Sequence, residues 1–269
     1  MTAFFDRLAD RIADIDSVVS VGLDPDPDRL PEAVRDADLP RWAFNRRIVD
    51  ATHEHAAVFK PNAAFYEDPA GWRALEKTVE HAREKGVPVL LDAKRADIGN
   101  TSRQYAKVLD SVDAITLNPF LGRDSLAPFL DREEAGCFLL CRTSNPGGAD
   151  VQELELASGD LVYERVADLA SEWNEQGHGN VGLVVGATTP DELRAVRERV
   201  PDLPFLVPGV GAQGGDVAAA ARCAAAANGA GLVNSTRGII FAGEDSDRPF
   251  DEAAGEAAAD LKERLNEYR

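Results

Sequence analysis

Cysteine, lysine and long apolar runs are all scarce in this chain of 269 residues. Two of its three cysteines, Cys137 and Cys141, would lie about 13 Å apart on an extended strand, too far for a disulfide. The sequence has no CxxC pair and no Cys/His cluster, so it predicts no metal site. We expect all three cysteines to be small core residues of a protein from a reducing compartment.

No apolar run approaches the roughly 20 residues that a membrane helix requires. The first residues, MTAFFDRLADRIADID, contain acids and lack the basic segment that opens a signal peptide. We therefore expect a cytoplasmic protein that does not associate with membranes. The apolar content of 44% and charged content of 28% are typical of a folded chain, long enough for one large domain or two small ones.

Acidic residues outnumber basic ones by 47 to 29, which gives a net charge of −18. This charge argues against nucleic-acid backbones and anionic membranes as partners. Only six of the basic residues are lysine. An acid excess with little lysine favours a halophilic protein of a high-salt cytoplasm; an ordinary acidic enzyme is the alternative.

Short apolar runs alternate with helical patterns along the chain. The runs are mostly continuous, which is typical of strands covered on both faces. They are 18–23, 57–60, 87–91, 114–117, 137–141, 181–185, 204–207 and 231–234. Helical spacing of apolar residues predicts helices over 41–56, 69–86, 160–177, 189–200 and 215–231, the fourth capped by Thr189.

Eight strand–helix units predict a single (β/α)8 TIM barrel domain over residues 1–269. An apolar stripe from Phe4 to Ile15 adds an N-terminal helix. A doubly wound open sheet is the alternative.

Polar residues follow the predicted strands, where the active sites of barrels form. Asp24 ends strand 1, Lys60 ends strand 2, Asp92 and Lys94 end strand 3, and Asn118 ends strand 4. Two of the six lysines therefore fall in one ring. Charge gathered at one end of the strands indicates a site rather than a solvated surface.

The loops after strands 7 and 8 suggest an anion-binding site. PGVGAQGGD, residues 208–216, places glycines between a strand and a helix, where the backbone can approach a ligand closely. STRGI, residues 235–239, adds Arg237 for a bidentate grip. These loops form the usual phosphate site of the barrel, although tight turns would also explain glycine in each loop.

The segment LLDAKRADIGNTS, residues 90–102, holds four charges in six residues. Asp92 and Lys94 are two apart and face the same side of an extended strand, where Lys60 can join them. Asp97 lies beyond the strand and could fold back or reach another subunit. Neighbouring opposite charges keep one another ionised. A structural salt-bridge network at the barrel rim is the alternative.

DAKRADIGNTS resembles the Asp-x-Lys-x-x-Asp signature of the orotidine 5′-phosphate decarboxylase family. GLDPD, FKPN, RTSNPGG, PGVGAQGGD and the strand-8 TRG are also similar, so the resemblance spans residues 22–238. The length and the RTSNP segment resemble the longer bacterial and archaeal branch. Many members have proline where this chain has Gly99.

The resemblance implies conversion of orotidine 5′-monophosphate to uridine 5′-monophosphate and CO2, in pyrimidine biosynthesis, without cofactor or metal. It implies a homodimer in which Asp97 and Thr101 enter the partner's site. Its catalytic residues would be Lys60, Asp92, Lys94 and Asp97, with Lys94 protonating C6 of the pyrimidine. Its substrate-binding residues would be Asp24 and Thr101 at the ribose, Ser144 at the pyrimidine amide, Pro208 lining the site, and Gln213, Arg237 and Gly238 at the phosphate.

Three other functions fit parts of the pattern. Sugar-phosphate enzymes that form a magnesium-bound enediolate share the barrel and the signature, but they carry an acid where this chain has Lys60. A Schiff-base aldolase would use Lys60 or Lys94 as a nucleophile, although flanking carboxylates would keep such a lysine protonated. A non-catalytic nucleotide sensor would need the phosphate loops without the charged array.

Overall fold

Eight parallel strands form the centre of the computed structural model, which describes residues 3–210, 215–225 and 229–269. The strands are β1 Val19–Leu23, β2 Val58–Pro61, β3 Leu90–Arg95, β4 Ala114–Leu117, β5 Gly136–Arg142, β6 Val181–Val185, β7 Phe205–Pro208 and β8 Leu232–Ser235. All eight predicted apolar runs are therefore strands. β3 differs most, because it starts later and continues through the charged residues.

Helices follow or flank the strands along the chain. They are α1 Phe4–Ile15, α2 Glu32–Arg35, α3 Pro40–Thr52, α4 Pro69–Glu84, α5 Gly99–Ala106, α6 Arg123–Leu130, α7 Ala149–Gln152, α8 Val162–Gln176, α9 Pro190–Arg199, α10 Val217–Ala225, α11 Arg237–Ile240 and α12 Phe250–Asn266. The predicted helices are confirmed, with α3 ending four residues earlier than expected and α10 running from Val217 to Ala225. Residues 226–228 of the span predicted for α10, 215–231, lie outside the described residues. No helix in the described ranges combines the length and apolarity that a membrane span requires.

The sheet closes into a barrel. Its strand order is β2-β1-β8-β7-β6-β5-β4-β3, with every adjacent pair parallel. Single parallel bridges, Phe59 to Val89 and Asn62 to Asp92, join β2 to β3 and complete the ring. The (β/α)8 barrel is confirmed, and the doubly wound open sheet is wrong.

Closure brings the carboxyl ends of all eight strands to one rim.

The three cysteines are free and buried, as the sequence predicted.

The predicted cap of α9 is wrong in its detail. Thr189 occupies the position before the helix, but its side chain makes no capping hydrogen bond. Its hydroxyl oxygen is buried and has no hydrogen-bond partner among the described residues. The helix start instead relies on Pro190 in the first turn, followed by Asp191 and Glu192.

Helix α1 covers the amino end of the barrel, opposite the polar strand ends. Phe4, Phe5, Leu8 and Ile12 are buried, as the stripe predicted. The rings of Phe4 and Phe5 meet the ring of Phe138 on β5 edge-to-face, with centroids 6.3 and 5.4 Å away. These aromatic contacts anchor α1 on the barrel core.

We expect Phe4→Ala to lower the free energy of unfolding by about 3–5 kcal/mol, because it leaves a cavity under α1. Urea unfolding in molar KCl measures the change. Asp10→Ala, at an exposed position of the same helix, should change it by less than about 0.5 kcal/mol. Equal effects of the two substitutions would show that α1 does not pack as described.

Candidate active site

A carboxylate bridged to two lysines lies at the carboxyl rim of the barrel. Asp92 on β3 accepts a hydrogen bond from Lys60 Nζ at Oδ2, at 3.1 Å, and one from Lys94 Nζ at Oδ1, at 2.6 Å. The side chain of Lys60 is 5% exposed, that of Asp92 is 13% exposed, and that of Lys94 is 48% exposed. Asp92 therefore joins one buried cation to one that reaches the open mouth of the barrel.

The two lysines determine the ionisation of Asp92. Burial opposes its charge, but the charges of Lys60 and Lys94, with hydrogen bonds from Lys94 and Thr116, outweigh burial and hold the pKa of Asp92 well below its usual range. Burial likewise disfavours the charged form of Lys60, but Asp92 and Asp24 outweigh it and raise its pKa. Asp92 and Lys60 are therefore both ionised at neutral pH, and together with Lys94 they form the charged array.

Asp24 lies directly after β1, beside the array. Burial, opposed by the charge of Lys60 and reinforced by the charge of Asp92, raises the pKa of Asp24. Its Oδ1 atom is buried, and no described residue donates a hydrogen bond to it. An unpaired buried carboxylate oxygen is costly unless a ligand supplies a donor.

The backbone of β3 bulges where it carries Lys94. Leu91 pairs with Ile115 on β4, but the next pair is Arg95 with Leu117, so β3 has two extra residues. Lys94 has a φ of +50°, in the left-handed region that is rare for residues with a Cβ atom. The predicted meeting of Asp92 and Lys94 is confirmed, but it comes from this bulge and not from a regular strand.

Thr116 is a member of this cluster that the sequence analysis missed. It lies on β4, and its hydroxyl donates to Asp92 Oδ1 at 2.8 Å and accepts the Lys94 backbone N–H at 2.9 Å. A polar residue inside the apolar run AITL was the available signal. Its meaning depends on the register between β3 and β4, which the sequence does not reveal.

Asp97 and Thr101 do not join the array of their own chain. Asp97 accepts a hydrogen bond from the Ile98 backbone, and nothing in the described ranges pairs it with Lys60 or Lys94. Thr101 is exposed on α5. Gly99 begins that helix with a φ of +54°, which proline cannot adopt. The glycine found here, where many members of the resembling family have proline, therefore matches the local backbone.

The loop after β5 holds Ser144 in a fixed position. Arg142, 5% exposed at the end of β5, donates to the side chain of Glu153 and to the Thr143 carbonyl. Thr188 donates to the Ser144 carbonyl at 3.2 Å. A Cβ atom at Gly186 would lie 3.0 Å from Ser144, so a larger residue at position 186 would press against this loop.

The loops after β7 and β8 enclose a small pocket of about 60 Å³, lined by residues 208–210 and 234–238. Pro208 ends β7, and the exposed Arg237 and Gly238 begin the short helix α11. The structure thus brings two of the three residues expected at the phosphate, Arg237 and Gly238, together with Pro208, which was expected to line the site. The third, Gln213, lies outside the described residues.

A larger cavity of about 720 Å³ lies away from the array, between residues 28–35 and 240–250. Three of its arginines are each paired with a carboxylate, as Arg29–Glu244, Arg47–Asp251 and Arg248–Glu256. These pairs leave little free positive charge to select an anion there. Across residues 3–210, 215–225 and 229–269, no three His, Cys, Asp or Glu side chains are grouped to hold a metal ion.

Known proteins resemble this chain over nearly its whole length. Residues 17–248 match the model of the orotidine 5′-phosphate decarboxylase / HUMPS family. The orotidine 5′-phosphate decarboxylase of Halorubrum lacusprofundi is 70% identical over 99% of this chain and all of the relative. That of Halobacterium salinarum is 68% identical with the same coverage.

A solved structure shares the fold. The OMP decarboxylase of Leishmania donovani superposes with a TM-score of 0.83 at 37% identity, covering 99% of this chain and 98% of its own. The family match, the relatives and the shared barrel together show that the chain belongs to the orotidine 5′-phosphate decarboxylase / HUMPS family.

Proposed function

We propose that this chain converts orotidine 5′-monophosphate to uridine 5′-monophosphate and CO2, a step of pyrimidine nucleotide biosynthesis. The observation that carries the proposal is the array of Lys60, Asp92 and Lys94 at the carboxyl rim of the barrel. The relatives named orotidine 5′-phosphate decarboxylase, at up to 70% identity over the whole chain, support the same reaction.

The reaction needs fixed positive charge at one carbon of the pyrimidine. When the bond from C6 to the carboxylate breaks, its electron pair stays on C6 while CO2 leaves. No adjacent carbonyl delocalises that charge well, so a preorganised cation must stabilise it. Lys94 is our candidate, because its half-exposed ammonium group reaches the mouth of the barrel. It then gives a proton to C6 and regains one from water.

The rest of the array keeps Lys94 in place. Asp92 holds the ammonium group of Lys94 at 2.6 Å, and the buried Lys60 keeps Asp92 ionised from the other side. Neither role requires a metal or a cofactor, and we propose that the enzyme uses none.

Other residues bind the substrate away from the reacting carbon. The unpaired oxygen of Asp24 suits a ribose hydroxyl, and the fixed loop after β5 presents Ser144 to the pyrimidine amide. We assign the phosphate to the pocket of Pro208, Arg237 and Gly238, together with Gln213. Binding energy from these remote groups can organise the site and so lower the barrier.

We further propose a homodimer in which Asp97 and Thr101 complete the partner's site. Large apolar side chains are exposed on the segments after β3 and β4. Ile98 at 64% and Tyr105 at 40% lie close in sequence to these two residues, and Phe120 at 82% and Leu121 at 47% follow β4. Exposed apolar patches of this kind are typical of protein interfaces. The position of Asp97 apart from its own array supports the same arrangement.

The alternatives fit the array less well. A magnesium ion beside Lys60 would be repelled by a buried cation whose raised pKa keeps it charged. The same shift leaves Lys60 a poor Schiff-base nucleophile, since that reaction needs a neutral amine. A nucleotide sensor would not need the array at all, so measured turnover separates it from an enzyme.

We also propose that the chain works as one domain in a salt-rich cytoplasm. Its net charge of −18 and its identity to proteins of Halorubrum and Halobacterium support this setting.

We expect Lys94→Ala to lower kcat for orotidine 5′-monophosphate by at least about 100-fold, because it removes the cation at C6. The loss of substrate absorbance in molar KCl, with and without EDTA, measures this effect. Lys107→Ala, at an exposed lysine outside the array, should keep full activity. A wild-type protein that binds the product without turnover, or that EDTA inactivates, would contradict the proposal.

Mixed dimers test the shared site. A dimer of one Lys94→Ala chain and one Asp97→Ala chain, purified with two different tags, should recover about half the wild-type activity, because one of its two sites is complete. A dimer of Lys94→Ala and Lys60→Ala chains should stay inactive, since both residues serve their own chain's site. Equal inactivity of the two mixtures would show that Asp97 does not serve the partner.

We expect the melting temperature to rise steadily from low salt to molar KCl, because salt screens repulsion among the excess acids. Thermal unfolding followed by circular dichroism measures this dependence. Replacing the exposed Asp36, Glu133 and Glu198 with lysine should weaken it by lowering the net negative charge. A melting temperature independent of KCl would remove the high-salt setting.

A further inference from the structure

We infer that Thr116 is a positioning residue for decarboxylation, which it assists by fixing both Asp92 and Lys94. This inference rests on the proposed function. Thr116 is 1% exposed on β4, and its hydroxyl makes two hydrogen bonds, both to the array. A hydroxyl has one proton to donate. Because the Lys94 amide can only donate, that proton goes to Asp92.

The first bond sets the carboxylate of Asp92. Its Oδ2 atom has one donor, Lys60 Nζ, while its Oδ1 atom has two, Lys94 Nζ and the Thr116 hydroxyl. Lys94 is long, flexible and half-exposed. Thr116 is short, β-branched and buried, so it has few rotamers to choose from. Thr116 therefore supplies the rigid contact that orients Oδ1 toward Lys94.

The second bond holds the backbone of Lys94 in its unusual conformation. The bulge removes Lys94 from regular pairing with β4, and the Thr116 side chain accepts the amide hydrogen that a strand partner would otherwise accept. Without that acceptor, the left-handed φ of +50° loses its support. Relaxation of the bulge would then move the ammonium group away from C6.

Other buried threonines differ from Thr116 in their partners. The hydroxyl of Thr52, which is fully buried on α3, donates to the Ile48 carbonyl one turn earlier in the same helix. This bond belongs to the helix alone and has no connection to the array. Thr52 is therefore a matched control for removal of a buried threonine hydroxyl.

The test compares Thr116→Val with Thr116→Ser. Valine keeps the shape and removes the hydroxyl, so kcat should fall roughly 10- to 100-fold. KM for orotidine 5′-monophosphate and Kd for uridine 5′-monophosphate should stay within about threefold, because remote groups carry binding. Serine restores the hydroxyl and should bring kcat back to within about threefold of wild type.

Thr52→Val controls for general destabilisation. It should lower the melting temperature while leaving kcat unchanged. If Thr116→Val does not fold, Thr116→Cys replaces it, since a thiol fills similar space but forms only weak hydrogen bonds. That variant should have a kcat clearly below that of Thr116→Ser.

The outcomes separate the two claims. If the wild type is active and kcat is unchanged by Thr116→Val, or by Thr116→Cys where the valine variant does not fold, the positioning role is wrong and the proposed function stands. Failure of Thr116→Ser to restore kcat overturns it as well. A folded wild type that never turns over orotidine 5′-monophosphate contradicts the proposed function, and the positioning role falls with it.

Discussion

The interaction on which the site depends is the carboxylate of Asp92 held between two lysines. A buried carboxylate is costly alone, and so is a buried ammonium group such as that of Lys60. The ion pair between Lys60 and Asp92 offsets the cost of burying each charge, and Lys94 extends the network to the open mouth of the barrel. Loss of Asp92 would leave the buried Lys60 and the neighbouring Lys94 without their shared counter-charge. Lys60 lies on β2, and Asp92 and Lys94 lie on β3. These two strands are the first and last of the sheet, and they become neighbours only because the barrel closes between them.

The array is also preorganised by its surroundings. Lys94 keeps a left-handed backbone, and the bulge beneath it is tied to β4 through Thr116. Groups fixed before the reaction need not reorganise as charge develops, which is how electrostatic catalysis lowers a barrier. The strained residue therefore lies at the point where we place the reacting carbon, and the rest of the barrel maintains that strain.

Local patterns in the sequence were enough to predict the barrel and most of the rim. Continuous apolar runs identified the eight strands, and Lys60, Asp92 and Lys94 stood out as charges at strand ends. The bulge at Lys94 and the role of Thr116 depend on the register between β3 and β4, which no single segment encodes. The Thr189 cap failed because residue preference does not decide where a hydroxyl finds a partner. The proposed roles of Asp97 and Thr101 involve a second chain, and Gln213 lies outside the described residues.

A crystal structure of the protein with bound uridine 5′-monophosphate, grown in molar KCl, tests the central claim most directly. The account predicts that Lys94 Nζ lies about 3–4 Å from C6 of the pyrimidine. It also predicts that Asp92 stays between the two lysines and that the phosphate lies between residues 208–210 and 235–238. A nucleotide bound elsewhere, or a Lys94 turned away from C6, would contradict the account.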